Sequence, residues 1–225
     1  HDMGVTHVIR GDDHLNNAFR QLPIYRAMQQ IEGGWDDPAY AHIPLIHGAD
    51  GAKMSKRHGA VGVASYRDEL GILPDAMFNY LLRLGWGYGD REEISREEAV
   101  ELFNLSGVGK SPSRFDLKKL QNLNGHYIRE TDDRVLTDLV LPRLPEGADR
   151  ALLEEAMPVL KVRARNLDEI AEGAGFLFAT RPLDMTEKAA GLLDDEARAR
   201  LALVSRALAQ ENHWTSEALE ATTKS

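Results

Sequence analysis

The spacing of apolar positions changes character along the chain. Near the start, VTHVI (Val5–Ile9) is a short β-branched run that predicts a buried strand. It stops at Arg10–Gly11, where Asp12 or Asp13 can cap a following helix. Leu15, Phe19, Leu22 and Tyr25 then fall at helical spacing, and Pro23 inside that run predicts a kink or break. AHIPLI (Ala41–Ile46) is a second strand-like run, with Pro44 marking an edge or bulge. Strand, helix, strand is half of a doubly wound α/β unit.

Further on the period is helical. Pro74 suits the first position of a helix carrying Phe78, Leu81 and Leu82 and ending at Gly85. SREE (Ser95–Glu98) is a capping box that opens another helix. Asp116 caps a helix with Leu117, Leu120 and Leu123, closed by Asn124–Gly125. From about Asp133 the chain is rich in Ala, Leu, Glu and Arg. Ala197, Leu201, Val204 and Leu208 predict one buried face of a long helix, and Thr215 caps a last one. The fold class expected is mainly α with a partial, Rossmann-type α/β segment at the N-terminus. Tyr25, Phe78, Phe103 and Trp86 read as core, and Trp214 as a hydrophobic staple.

Composition narrows the classes. The 225 residues are 43% hydrophobic, enough for a packed core and for two or three small domains. No apolar run reaches the 18 or so residues of a membrane helix, and the N-terminus lacks a signal-peptide pattern. With no cysteine, disulfides and thiolate metal sites are excluded. The eight histidines show no metal-ligand spacing. A cytoplasmic protein is expected. A net charge of −9 argues against a generic polyanion-coating protein, though a local basic patch can still bind phosphates.

One such patch is GADGAKMSKRHGA (Gly48–Ala60), which sets Lys53, Lys56 and Arg57 on a permissive backbone. Two lysines three residues apart can face one polyanion, and small neighbours let backbone N–H groups approach it. A solvated basic loop is the other reading. The patch follows a predicted strand, and ligands of open α/β sheets gather beyond the carboxyl ends of strands. The first strand ends in RGDDH (Arg10–His14). Arg10 there can bind a carboxylate in bidentate fashion or form a salt bridge with Asp12 or Asp13.

GVTHVIRGDDHLNNAFRQLPIYRAM, HIPLIHGADGAKMSKRHGA and FDLKKLQNLNGHYIRE, in this order, resemble the bacterial glutamyl-tRNA synthetases of class I. The likeness runs on to NHWTSEALEA and so covers essentially the whole chain. KMSKR corresponds to the class's second signature loop. The first signature, a HIGH-type motif, is absent, as is the insertion that clasps the tRNA acceptor end. The resemblance therefore implies a fragment of a longer enzyme. Residues 1–58 would close the catalytic domain, 59–132 form a stem-contact domain, and 133–225 form part of a helical anticodon-binding domain.

The family activates glutamate with ATP and Mg²⁺, then transfers it to tRNA(Glu). The resemblance implies that Lys56 stabilises the triphosphate as pyrophosphate leaves, with Lys53 assisting. Asp13 and His14 fall where the family contacts ATP, and Leu45 and Ile46 flank the adenine. Arg10 matches the arginine that pairs with the side-chain carboxylate of L-glutamate. Lys110 and Arg114, with Lys118 and Lys119, could track tRNA phosphates or be solvated helix charges. Arg163 matches a position that reads an anticodon base, against an ion pair with Glu169 or Asp168. No protein metal ligand is expected, and a monomer is. The fragment alone should not aminoacylate. A non-catalytic tRNA-binding module is the rival reading. Other nucleotidyl-transferring enzymes of the superfold, or a tRNA-modifying paralogue, fit the helical C-terminal half less well.

Overall fold

The computed structural model describes residues 1–48, 50–54, 62–180, 182 and 185–224. By its internal contacts the chain divides into two units, His1–Phe178 and Ala179–Ser225.

The first unit opens with two parallel strands, β1 (His7–Gly11) and β2 (Ala39–Ile43). Arg10 lies opposite His42 and Gly11 opposite Ile43, so both strands end at the same edge. Between them runs α1 (Leu15–Ile31), unbroken through Pro23. The carbonyl that loses its partner there belongs to Phe19, a residue 70% exposed, so solvent can replace the missing bond. Neither Asp12 nor Asp13 caps α1; both sit in a tight 3-10 turn, and His14 is the capping position. β2 ends just before Pro44, which cannot donate to the ladder.

The helices that follow are α2 (Val63–Asp68), α3 (Pro74–Gly85), α4 (Arg96–Leu102), α5 (Leu117–Glu130), α6 (Asp133–Val140), α7 (Arg150–Leu160) and α8 (Leu167–Phe178). Their starts follow local chemistry. Pro74 is at the first position of α3. Ser95 accepts from the Glu98 N–H at 3.1 Å, and Glu98 accepts from the Ser95 N–H at 3.0 Å. Asp116 Oδ1 accepts from the N–H groups of Lys118 and Lys119. Ile72, Leu120, Ile128, Leu136, Leu153, Met157 and Ile170 are buried in one continuous core. Each such side chain contributes about 1.5–3 kcal/mol by leaving water. A second cluster holds Trp86 and Ile94, with Phe78 packed against it. Phe103 is 42% exposed, so it is not core.

α5 does not stop at Asn124–Gly125, and the reason is tertiary. The Asn124 side chain is fully buried. Its Oδ1 accepts from the Leu73 N–H at 2.8 Å, while Nδ2 donates to Gly71 O at 3.2 Å and Arg165 O at 2.7 Å. A Cβ on Gly125 would lie 3.1 Å from Ala164 O. The pair serves as the seat for two loops and leaves the helix free to continue. Gly71 takes φ +60°, and a Cβ there would lie 2.7 Å from Leu167 N.

In the second unit α9 (Glu187–Leu192), α10 (Asp195–Gln210) and α11 (Ser216–Lys224) follow one another. Thr215 Oγ1 accepts from the Ala218 N–H, capping α11. The predicted stripe on α10 is only half covered: Val204 and Leu208 are half-buried, and Leu201 is 55% exposed. Trp214 is 69% exposed, donating from Nε1 to Glu211 O rather than stapling a helix. Among the described residues no helix is long and apolar enough to cross a membrane.

Replacing Asn124 by Leu keeps its approximate size but orphans the Leu73 N–H and Arg165 O, each costing about 1–3 kcal/mol, while Gly71 O keeps its bond from the Leu167 N–H. Chemical denaturation should show a loss of roughly 3 kcal/mol or more, and a loss under about 1 kcal/mol would remove Asn124 as the joint between these loops. Gly71→Ala should cost roughly 1–3 kcal/mol through its positive φ and the contact with Leu167.

Candidate functional site

Beyond the carboxyl ends of β1 and β2 lies a cavity of about 480 Å³. That is the size of a small-molecule site. Leu45, Ile46, Met54 and Tyr66 give it apolar walls, Gly11 reaches it from β1, and Lys53 brings an ammonium to it. A Cβ at Gly11 would lie 2.6 Å from Asp13 Oδ1, so a larger residue there would push the Asp13 carboxylate aside. α2 and α3 supply the far wall through Val63, Met77 and Leu81.

Arg10 stands on β1 one residue before this edge. Its Nε donates to His42 Nε2 at 3.3 Å and its Nη1 to Gln21 Oε1 at 3.0 Å. The guanidinium carbon lies 5.3 Å from the Tyr40 ring centre. Nη2 is buried with no hydrogen-bond partner. Arg10 thus has no carboxylate among the described residues, and the salt bridge with Asp12 or Asp13 is not formed. A buried guanidinium N–H left unpaired is costly, and a carboxylate is the group that best satisfies it.

Asp13 is engaged elsewhere. Lys53 Nζ donates to its Oδ2 at 3.1 Å, and that bond is the main reason the Asp13 carboxyl sits below its usual range. His14 is exposed, 4.0 Å from Asp13, with its Nδ1 3.1 Å from Asn17 Nδ2. Lys53 itself is set by a short turn. His47 and Lys53 form an antiparallel bridge, the Met54 N–H donates to Ile46 O, and Gly51 takes φ +80° at the tip. Lys56 lies outside the described residues, as do Ser55 and Arg57. Among the described residues no group of three or more His, Cys, Asp or Glu side chains could hold a metal ion.

The loop before α5 runs beside that turn. The His47 N–H donates to Ser113 O, and the Phe115 N–H to His47 O. Arg114 therefore neighbours the same His47 that pairs with Lys53. Lys110 is exposed in the loop. A polar cleft of about 690 Å³ opens next to it between α3 and α5, lined in part by Arg83, Arg114, Lys119, Asn122, His126 and Arg129. Arg83 is paired with Glu92 at 3.2 Å, and His126 stands 3.2 Å from Glu93. Sequence reasoning missed Asn122, His126 and Arg129. The signal was present: with Lys119 they fall at i, i+3, i+7 and i+10, one face of α5.

Arg163 is exposed in the turn between α7 and α8. The two carboxylates weighed as its partners are held by other arginines. Arg165 Nη2 reaches Glu169 Oε1 at 2.8 Å, and Arg143 Nε lies 3.0 Å from Asp168 Oδ1.

Residues 1–122 match the model for tRNA synthetases class I (E and Q), catalytic domain, and residues 135–225 match that for an anticodon binding domain. The chain is 71% identical over 224 residues to glutamate–tRNA ligase 1 of Erythrobacter litoralis, covering all of this chain and 46% of that protein. It is 66% identical to glutamate–tRNA ligase 2 of Novosphingobium aromaticivorans, again over all of this chain and 47% of the relative. The crystal structure of a glutamate tRNA ligase from Elizabethkingia meningosepticum in complex with its amino acid superposes with a TM-score of 0.79 at 26% identity. That match covers 99% of this chain and 47% of the other. The chain spans about half the length of the relatives it matches. With a parallel α/β edge, its cavity and more than half of its residues within the catalytic-domain match, the chain belongs to the class I tRNA synthetases (E and Q).

Proposed function

We propose that the enzyme containing this stretch attaches L-glutamate to tRNA(Glu) through an ATP-derived glutamyl-adenylate, in the cytoplasm and as a monomer. The observation that carries the reading is Arg10, a part-buried guanidinium with its buried Nη2 unsatisfied and no carboxylate partner among the described residues. The side-chain carboxylate of glutamate is the ligand that Arg10 fits. His42, Gln21 and Tyr40 hold the guanidinium in place for it.

ATP takes the adjacent cavity, its adenine between the apolar side chains of Leu45 and Ile46 and the walls around Gly11. Lys53 is held ready by Asp13 and moves its charge to the phosphates when they arrive. Lys56 carries most of the charge stabilisation as pyrophosphate departs, with His14 at the rim. Mg²⁺ enters with the ATP phosphates and is assigned no protein ligand.

Residues 1–58 close the catalytic domain, 59–132 contact the tRNA stem, and 133–225 belong to the anticodon-binding part. Lys110, Arg114 and the Lys119–Arg129 face of α5 track phosphates, which position without specifying. Arg163, free of an ion pair among the described residues, reads an anticodon base. The 225 residues alone do not aminoacylate. A tRNA-binding module without catalysis is the second reading. It is favoured by the same α5 face and gives no role to Arg10.

In the full-length enzyme, Lys56→Ala should depress glutamate-dependent ATP–pyrophosphate exchange by about 10²-fold or more while tRNA affinity changes little. Equal losses in both would mean that the loop merely binds RNA. Arg10→Met should raise the KM for glutamate by at least about tenfold and leave that for ATP nearly unchanged. Unaltered glutamate kinetics would take Arg10 out of the site. The 225-residue chain, assayed with ATP, glutamate and tRNA, should show no exchange, and robust exchange would overturn the expectation that it is inactive alone.

A further inference from the structure

α2 is six residues long, too short to be stable by itself. It nevertheless supplies Val63 and Tyr66 to the cavity. Two things hold it. Tyr66 is buried with its ring 5.6 Å from Phe115. The second hold is at the helix's C-terminal end, where the last carbonyls need donors. Ser65 O accepts from the N–H groups of Glu69 and Leu70, and Tyr66 O accepts from that of Ile72. The carbonyls of Arg67 and Asp68 are taken instead by a side chain 75 residues or more away in sequence. Arg143 Nη2 donates to Arg67 O at 3.0 Å and to Asp68 O at 3.3 Å. A cation there also suits the negative end of the helix.

Arg143 follows α6 and is itself largely covered, its side chain 20% exposed. Asp168, in the first turn of α8, stands 3.0 Å from its Nε. That N–H does not point along a hydrogen bond, so the contact is one of charge. Asp168 lies five residues after Arg163.

We infer that Arg143 is a positioning residue for the nucleotide cavity: it fixes α2 by closing that helix's C-terminal carbonyls, and Asp168 orients it. The inference rests on the reading of the cavity as the ATP site. It makes the wall of that site depend on the helical segment that carries Arg163. The role is one of placement, since Arg143 does not line the cavity.

The test uses the full-length enzyme with Arg143→Met, Arg143→Lys and Asp168→Asn. Amide exchange at Glu69 and Leu70 should quicken about tenfold in Arg143→Met. The KM for ATP in pyrophosphate exchange should rise about five- to tenfold, with kcat, the KM for glutamate and tRNA affinity within about twofold. Arg143→Lys keeps the charge and a donor group without the planar fork, and should recover part of the ATP effect. Asp168→Asn should show a smaller shift of the same kind. A merely structural residue would lower stability and all constants together, and that result would overturn the inference. Faster amide exchange with an unchanged KM for ATP would overturn it too, while leaving the reading of the cavity intact. A wild-type enzyme without glutamate-dependent exchange would overturn that reading and the inference with it.

Discussion

One buried carboxamide joins three parts of the first unit. Asn124 has no exposure, and every bond it makes goes to backbone of two other stretches: Leu73 N–H and Gly71 O in one loop, and Arg165 O in another. Backbone groups buried at loops must find partners, because water cannot reach them. Here one side chain supplies them, and Gly71 and Gly125 give the space for the approach. The loop entering α3 and the turn leaving α7 are thereby fixed to the same point on α5. The core that runs from Tyr66 to Ala174 forms around this joint.

The geometry of the site descends from that arrangement. α3 and α5 set the loop at Ser113–Phe115, which bonds to His47 on both its N–H and its carbonyl. His47 in turn pairs with Lys53, so the turn carrying the ammonium is registered against the helical layer. Asp13, from the end of β1, then meets Lys53 from the other side. The lysine is thus placed by a strand end, a turn and a helix-leading loop at once. Exposed pairs of this kind contribute little to stability. Their effect is to keep a flexible side chain at the wall of the cavity.

How much of this was legible depended on distance along the chain. Ser95–Glu98, Pro74, Asp116 and Thr215 were readable because capping is settled within three residues. The strand runs were found, though β1 and β2 each sit about two residues from the predicted spans, where pairing rather than composition sets the ends. Asn124–Gly125 misled, because the same residue types that end helices also let another backbone approach one. The α10 stripe misled in a different way. Its spacing was right, but burial needs a facing surface, and Leu201 lacks one within its own unit. The Arg10–His42 bond, the Lys53–Asp13 pair and the Arg143–Asp168 contact join residues 25 to 40 positions apart, which no local pattern encodes.

Charge shows the same division of labour. The chain is acidic overall, at −9, yet its described cations are not spread evenly among partners. Most arginines of the helical layer are neutralised: Arg91 by Glu98, Arg134 and Arg150 by Glu154, Arg165 by Glu169. Lys119, Arg114 and Arg129 have no ion pair among the described residues and share one cleft. Arg10 is in the same condition at the strand edge. In a protein with more acids than bases, a cleft lined by unpaired cations gives a local positive field that can draw in an anion. Two of the places where cations lie unpaired differ in chemistry. One is a single part-buried guanidinium suited to a small carboxylate, and the other is an open row of exposed cations suited to a phosphate backbone. A compact, part-buried position and an open, exposed row can draw in anions of different size at the same time without competition.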